Sequence, residues 1–300
     1  MREITEQEYR EFIKDRREIT VDGSRVKLIG GSQIRLYEPK DFALEKTTVW
    51  SFEHRGNWAT HRGNYRGNWA PQIPRNLILR YSKEGNLVLD QMVGSGTTLV
   101  ECKLLGRNGI GVDINLDALM VAYNRLDFTY VSRGEQPATT QKLFLGDARN
   151  LDMIANETID LIATHPPYAN IIPYSKERGN GDLSRVHSVN EFISEMGDVA
   201  KECFRVLKPS RHCAILIGDT HKHKHYVPIA FRVLEAFLEK GFILREDVIK
   251  EQWHTKTMRG RWKESYNHDF LLTYHEHLFI FRKPSTDENI QKFKNSMKWT

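Results

Sequence analysis

Short apolar runs alternate with amphipathic segments along most of the chain, and this pattern predicts strands followed by helices. A strand followed by a helix, repeated at this spacing, is typical of a doubly wound, mostly parallel α/β sheet. No helix that packs on the sheet fits between the last two strands, so we expect an antiparallel final strand. The predicted strands are 86–89, 109–112, 142–145, 159–163, 213–217, 242–244 and 277–281, and the predicted helices are 97–106, 116–126, 192–207 and 228–240.

The residues before this pattern predict a small N-terminal appendage over 1–55. Thr5 and Glu8 have the spacing of a capping box and predict a helix over 5–17. The rest of the appendage is too short and polar to bury a core alone. The predicted sheet occupies a domain over 56–285, and 286–300 form a C-terminal tail.

Composition indicates an ordinary globular protein, with 40% hydrophobic and 28% charged residues in 300. No apolar run is long enough to span a bilayer, and the start Met1 to Thr5 has no apolar segment of a signal peptide, so we expect a cytoplasmic protein without membrane contact. A net charge of +5 is compatible with a polyanionic partner. Isolated cysteines, and histidines interleaved with lysines, predict neither disulfides nor a metal site; they are Cys102, Cys203, Cys213, His221, His223 and His225.

A loop rich in glycine follows the strand 86–89 and predicts a ligand site. Gly94 and Gly96 let the backbone approach a ligand, and Thr97 begins a helix whose N–H groups face it. The glycine spacing differs from the dinucleotide fingerprint, and no Gly-Lys-Thr of a phosphate loop is present. The candidate cofactor-binding residues are Asp90, Gly94, Ser95, Gly96, Thr97, Thr98, Asp113, Ile114, Asp147 and Ala148.

Three aspartates end three consecutive strands and indicate which cofactor this is. Asp113 lies 19 residues after Gly94, where a carboxylate can accept hydrogen bonds from ribose hydroxyls. Asp147 is placed to accept from an adenine amine. Any one of these acids could be a helix N-cap, but the set favours an adenosine-containing cofactor. A carboxylate at Asp90 opposes a pyrophosphate and favours a cation, so S-adenosylmethionine is preferred to NAD.

The second motif, Thr164-His165-Pro166-Pro167-Tyr168, directly follows the apolar run 159–163. Proline has no N–H and fixes φ, so two in a row form a stiff edge that only accepts hydrogen bonds. With an aromatic ring beside it, such an edge suits a planar group that carries an amine.

Together the two motifs resemble those of the DNA amino-methyltransferases, which methylate cytosine N4 or adenine N6. The resemblance covers roughly residues 60–283 and implies a Rossmann-like, seven-stranded methyltransferase sheet. Further matches to this family are Gly111-Val112-Asp113-Ile114-Asn115, Arg205-Val206-Leu207-Lys208-Pro209, Ile217-Gly218-Asp219-Thr220 and the terminal strand His277-Leu278-Phe279-Ile280-Phe281-Arg282-Lys283.

The resemblance implies that a base flips into a pocket, where its amine attacks the donor methyl. Tyr168 would stack on the base, while the Pro166 carbonyl and the His165 side chain would accept from the amine; Pro167 completes the catalytic set. The family usually has Asp, Asn or Ser at the position of His165, and commonly Pro at that of Gln91. Because only a neutral imidazole accepts a hydrogen bond, we expect activity to fall on acidification through the pKa of His165.

The order of the motifs leaves no room between them for a large recognition domain, so shorter segments must contact DNA. We expect recognition loops near 170–190 and 250–270, and a cationic, aromatic surface at the Arg-Gly-Asn repeat over 54–70. For 250–270 the alternative is a solvated basic loop, and for 54–70 it is an irregular loop with surface arginines. The candidate DNA-binding residues are Arg62, Arg66, Lys256, Arg259, Arg261 and Lys263.

The sequence thus predicts an S-adenosylmethionine-dependent methyltransferase that modifies double-stranded DNA, in a restriction-modification context with a possible cognate restriction enzyme. The resemblance favours cytosine N4 over adenine N6, because the family pattern for N4 often has Thr-Ser-Pro-Pro and this chain has Thr164 before His-Pro-Pro-Tyr. The alternatives are an RNA or protein-glutamine methyltransferase, and a catalytically degenerate nucleic-acid-binding protein. Whether the protein is a monomer or a homodimer is left open.

Overall fold

The computed structural model describes residues 1–21, 23–29, 34–130, 138–167, 183, 188–253, 269 and 271–298. Its helices are α1 (Glu6–Lys14), α2 (Gln72–Tyr81), α3 (Thr97–Leu104), α4 (Leu116–Leu126), α5 (Val189–Val206) and α6 (Ile229–Leu238), with a 3-10 helix at Ile290–Ser296. Its strands are β1 (Arg2–Glu3), β2 (Glu18–Val21), β3 (Ser24–Lys27), β4 (Val49–Trp50), β5 (Leu87–Asp90), β6 (Asn108–Asp113), β7 (Gln141–Leu145), β8 (Ile159–Thr164), β9 (Leu207–Ile217), β10 (Thr220–Lys222), β11 (His225–Val227), β12 (Ile243–Glu251) and β13 (His275–Arg282).

Within the described residues the main sheet has nine strands in the order β1-β7-β6-β5-β8-β9-β13-β12-β4. Strands β7, β6, β5, β8 and β9 run parallel, while β13 is antiparallel to both β9 and β12. The predicted doubly wound sheet with an antiparallel last strand is therefore confirmed. The central strand β8 is buried along its whole length, as expected for a parallel strand covered on both faces.

The N-terminal residues extend the main sheet at both edges. Strand β1 pairs with β7, and β4 pairs with β12. Ile4 and Tyr9 pack in a core cluster with Leu99 and Leu119. Short added strands protect sheet edges, which otherwise present unpaired backbone groups. The domain boundaries at 55 and 285 stay predictions.

Helix α2 was not among the predicted elements. Pro71 and Pro74 near its start argue against a helix in the sequence, but proline is tolerated in the first turn. Ile73, Leu77 and Ile78 are completely buried on the helix and pack against the sheet. This helix matters for the site because it follows directly on the loop 54–70.

Candidate functional site

The predicted site residues lie at the carboxyl ends of neighbouring parallel strands. Strand β5 lies between β6 and β8, with Val88 opposite Leu161 and Asp90 opposite Gly111. The strand order changes direction at β5, and ligands of open α/β sheets bind at this type of switch point. Asp90, Asp113 and Thr164 therefore lie at one edge of the sheet, as the sequence predicted.

The glycine loop after β5 has a backbone that requires glycine. Gly94 and Gly96 have φ of +48° and +83°, and a Cβ at Gly96 would lie 3.0 Å from the Ala122 Cβ. The Gly94 N–H donates to Asp113 Oδ2 at 2.9 Å, which ties the loop to the end of β6. Helix α3 begins at once after this turn, so its first N–H groups face the same edge.

Asp90 is the central acid of the site and is almost completely buried. Its two carboxylate oxygens accept from Thr98 Oγ1 at 2.5 Å and Thr164 Oγ1 at 2.8 Å. Burial raises the pKa of Asp90 to about 6, against the lowering effect of these hydrogen bonds. A buried carboxylate without a cationic partner among its described contacts is suited to a positively charged ligand.

The other predicted cofactor-binding residues differ in whether their side chains already have hydrogen-bond partners in the protein. Ser95 Oγ accepts from Arg125 Nη1 at 2.6 Å, whereas the buried Thr97 hydroxyl has no hydrogen-bond partner among the described residues. Ile114, beside Asp113, is 43% exposed and offers an apolar surface. These features fit a nucleoside that carries a cationic chain, although the individual cofactor contacts stay predictions.

Asp147 follows β7 and is held by a neighbouring arginine. Its carboxylate accepts from the Arg149 backbone N–H and from Arg149 Nε, both at 2.9 Å. Burial would raise the pKa of Asp147, but these bonds outweigh burial and lower it. Ala148 beside it is buried. The carboxylate is thus ionised and oriented, with its predicted adenine contact still untested.

Gln91 occupies the position where the family commonly has proline, and it is buried. Its Nε2 donates to Cys203 Sγ at 2.8 Å. This bond joins the loop to α5 and fixes it by a side-chain contact in place of a rigid ring.

His165 lies at the end of β8 with its ring stacked on Trp69, at a centroid distance of 5.9 Å and an interplanar angle of 25°. Burial, reinforced by the charge of Lys250, lowers the pKa of His165 to about 3. Pro166 is buried and Pro167 is exposed. Tyr168 lies outside the described residues.

The low pKa changes the predicted pH dependence of His165. An imidazole with a pKa near 3 is neutral throughout pH 5 to 8, so it can accept a hydrogen bond over the whole range. The expectation that activity falls through His165 titration assumed an ordinary pKa and is corrected here.

Replacing His165 with asparagine, a family residue, is expected to change activity by the same factor at every pH from 5 to 8. Neither side chain changes its charge in this range, so the ratio of wild-type to His165→Asn methyl-transfer rates should be constant. Parallel rate measurements in overlapping buffers check this. A ratio that bends near pH 6.5 would show that the histidine titrates normally.

The repeat at 54–70 packs across the site, and the prediction of an aromatic surface there is wrong for two of its rings. Trp58 and Trp69 are buried, and a Cβ at Gly94 would touch the Tyr65 ring at 3.4 Å. Arg62 and Arg66 are exposed. The aromatic rings therefore anchor the segment, while these two arginines face solvent.

Glu101 on α3 anchors this segment from inside the protein. Its Oε1 accepts from Trp58 Nε1 and lies within hydrogen-bond distance of His61 Nε2, both at 2.7 Å. Its Oε2 accepts from Arg75 Nη1 at 2.8 Å. Glu101 is completely buried, so the network joins the repeat, α2 and the helix after the glycine loop.

Most of the predicted recognition loops at 170–190 and 250–270 lies outside the described residues, as do Lys256, Arg259, Arg261 and Lys263. Nearby, β10 and β11 form a hairpin whose turn residues His223 and Lys224 have left-handed backbones and are exposed.

In the described ranges no three His, Cys, Asp or Glu side chains are grouped as metal ligands. No helix there is long and apolar enough to cross a membrane.

A family model described as DNA methylase matches residues 5–124 and 159–299. The chain belongs to this family. Membership confirms the family identified from the two motifs, and with it the methyltransferase fold and the predicted cofactor, S-adenosylmethionine.

Individual relatives match shorter parts of the chain. It is 40% identical over 81 residues to the type II methyltransferase M.HpaI of Haemophilus parainfluenzae, which is 27% of this chain and 26% of the relative. It is 31% identical over 126 residues to a tRNA (guanine(10)-N2)-dimethyltransferase of Methanothermobacter thermautotrophicus, covering 41% and 35%. The chain thus spans about a quarter to a third of the length of these relatives.

Among solved structures, a methyltransferase from Methanosarcina mazei is similar over 69% of this chain and 96% of its own. The TM-score is 0.47 and the sequence identity 15%.

Sequence reasoning missed three residues that organise the site. Thr164 was read as a sign of the target base, yet its hydroxyl binds Asp90. Trp69 was assigned to a surface, and Glu101 was not considered. The signal for Glu101 is its place among apolar residues on both sides of it in α3, which puts its side chain in the interior, where a carboxylate needs a partner.

Proposed function

We propose that the protein transfers a methyl group from S-adenosylmethionine to the exocyclic amine of a cytosine (N4) or adenine (N6) in double-stranded DNA. We further propose a restriction-modification context with a cognate restriction enzyme. S-adenosylmethionine supplies an electrophilic methyl group when bound. Asp90, the loop Gly94–Thr98 and Asp113 would hold it, and the His165–Pro167 edge would hold the amine.

The observation that carries the proposal is the pair of hydrogen bonds to Asp90. One comes from Thr98, in the predicted cofactor loop, and the other from Thr164, which precedes the predicted amine-binding edge. One buried carboxylate thus fixes the two sites relative to each other. Such positioning is a main source of rate enhancement in a two-substrate reaction.

The amine would be held by acceptors alone. The Pro166 carbonyl and the neutral imidazole of His165 can each accept one N–H of an amine, which directs its lone pair away from the edge. Trp69 packs on the imidazole and fixes its plane. After attack, the surplus amine proton passes to solvent, and no enzyme nucleophile is required.

The DNA would approach along the segment that carries Arg62 and Arg66. Both are exposed, and arginine pairs with phosphate in a bidentate manner. A stacked base cannot reach the site edge, so the target nucleotide must leave the helix. Tyr168, the predicted stacking residue, and the predicted recognition loop near 170–190 that follows it would then contact the base.

Methyl transfer from labelled S-adenosylmethionine to sheared genomic DNA tests the proposal. The expected result is label in duplex DNA, and mass spectrometry of the nucleosides then distinguishes N4-methylcytosine, favoured by Thr164, from N6-methyladenine. Asp90→Asn serves as the inactive control. No label in DNA, despite binding of the cofactor, would contradict the proposal.

An RNA substrate is the second candidate, supported by the similarity to the tRNA dimethyltransferase. Total tRNA is therefore offered in the same assay beside the duplex DNA. Preferential labelling of tRNA would show that RNA, and not DNA, is the substrate.

Exposure of methylated and unmethylated DNA to extracts of the host then tests for the restriction enzyme, since only the unmethylated DNA should be cleaved.

A further inference from the structure

Arg55 presents a buried guanidinium that is only partly used. Its Nη1 donates to the Asn68 carbonyl at 3.0 Å. Its Nε and Nη2 are buried and have no hydrogen-bond partner in the described part of the chain. These two nitrogens point their N–H groups in parallel from one side of the guanidinium, which is the arrangement that binds two oxygens of one anion.

Other enclosed arginines of the protein have found partners for their terminal nitrogens. Arg75 pairs with Glu101 and Glu38, and Arg125 donates to Ser95 and Asn64. A guanidinium that is buried without an anion raises the free energy of the folded protein. The open pair of donors on Arg55 therefore needs an explanation that packing does not supply.

The position of Arg55 places this charge in the candidate site. Its carbonyl partner Asn68 precedes Trp69, the residue that stacks on His165. Its charge lowers the pKa values of His165 and of Lys250, after the larger effect of burial on both. Lys250 donates to Glu276 Oε2 at 2.7 Å, whereas Arg55 has two nitrogens without a partner among the described residues.

We propose that Arg55 binds an oxyanion of a substrate through Nε and Nη2. This inference rests on the proposed methyl transfer, whose two substrates each carry a suitable group: the carboxylate of S-adenosylmethionine and the phosphate that flanks the flipped nucleotide. A carboxylate or phosphate would accept both N–H groups in a shielded place, where charge-assisted hydrogen bonds are strongest.

Two variants of Arg55 separate the geometry of the guanidinium from its charge, and a third variant is their control. Arg55→Gln removes both, and Arg55→Lys keeps the charge without the paired donors. Arg25→Gln is the matched control, because Arg25 has a 77% exposed side chain and pairs with Glu18 in the β2–β3 hairpin. Each full-length variant is titrated calorimetrically with S-adenosylmethionine, with decarboxylated S-adenosylmethionine and with sheared duplex DNA at several salt concentrations.

Two results support the proposal and name the source of the oxyanion. If the carboxylate binds, Arg55→Gln and Arg55→Lys weaken S-adenosylmethionine roughly 10- to 100-fold but leave the decarboxylated analogue unchanged. If the phosphate binds, both variants weaken DNA by about tenfold or more, and Arg55→Gln reduces the salt slope of DNA binding by about one. Arg25→Gln should match the wild type throughout.

Other results overturn it. Unchanged binding of all three ligands by Arg55→Gln, or full affinity in Arg55→Lys, excludes the paired-donor contact. Equal losses for S-adenosylmethionine and its decarboxylated analogue, or a lower melting temperature without ligand, indicate a purely structural role. Wild-type binding of the cofactor without methylation of DNA would instead refute the proposed function and leave the carboxylate result standing.

Discussion

Replacing Asp90 with asparagine is expected to weaken cofactor binding strongly while making the ligand-free protein more stable. The variant should bind S-adenosylmethionine on the order of 100-fold more weakly, because a neutral amide cannot attract the cation. Asparagine has the same shape and can still meet the hydroxyls of Thr98 and Thr164. The loss is therefore one of charge and not of local structure.

The gain in stability follows from the raised pKa of Asp90. Burial raises it from 3.8 to about 6, so the folded protein disfavours the charged form relative to the unfolded chain. Below pH 3.8 Asp90 is protonated in both the folded and the unfolded protein, so its raised pKa costs no stability. As the pH rises from there through 6, the free energy of unfolding decreases. At pH 7.5, Asp90→Asn should recover on the order of 3 kcal/mol and raise the melting temperature by several degrees.

The same pKa predicts the pH dependence of cofactor binding by the wild type. The carboxylate is ionised above pH 6 and becomes protonated below it, so affinity should decrease by up to about tenfold per unit on acidification. In Asp90→Asn, the weak remaining affinity should not change with pH in this range.

Calorimetric titration and thermal unfolding of the ligand-free protein, each from pH 5 to 8, check these results. Asp41→Asn is the control, since Asp41 is exposed. Normal affinity in Asp90→Asn would remove Asp90 from the cofactor site. A lower melting temperature at pH 7.5 would show that the carboxylate stabilises the fold.

Of the variants proposed for this protein, Glu101→Ala is expected to lose the most free energy of unfolding. The change leaves the Trp58 N–H, His61 and one end of Arg75 without their buried acceptor. Removing one partner from a buried ion pair typically costs about 3–5 kcal/mol. In a protein of this size, the melting temperature should fall by roughly 10 °C.

The loss should extend to the site, because Glu101 fixes the segment that carries Trp69. We expect a higher KM for DNA in Glu101→Ala at temperatures where the protein is still folded. Glu101→Gln, which keeps one acceptor oxygen, should lie between this variant and the wild type. Thermal unfolding and steady-state kinetics measure both effects, with the exposed Glu11→Gln as the control. Melting within one or two degrees of the wild type would show that the network contributes little.

The positions of the strands along the chain could be predicted because local sequence determines them. Each of the seven apolar runs forms a strand of the main sheet. Five of these strands lie in its parallel part, where a strand covered on both faces needs consecutive apolar residues. Two strands exceed their predicted lengths most: β9 begins at Leu207 and β12 continues to Glu251. The added residues are mostly polar or charged, and the few apolar ones, Leu207, Val248 and Ile249, are too scattered to form an apolar run.

The candidate site was predicted in its members but not in its connections. The aspartates, glycines and the His-Pro-Pro run come to one edge because parallel strands share their carboxyl ends. The contacts of Thr164 with Asp90 and of Trp69 with His165 join residues 74 and 96 positions apart. No periodicity in the sequence encodes contacts between positions so distant.

The sequence by itself determined the fold class, the family and the residue types that meet at the site, because hydrophobic periodicity and short motifs are local properties. Only the tertiary structure decided the protonation of those residues and the role of the Arg-Gly-Asn repeat. A pKa depends on burial and on neighbouring charges from distant segments, which made His165 neutral and Asp90 titratable near pH 6. Burial also distinguishes three arginines of this repeat: Arg62 and Arg66 face solvent, while the enclosed Arg55 has two donors without a partner among the described residues.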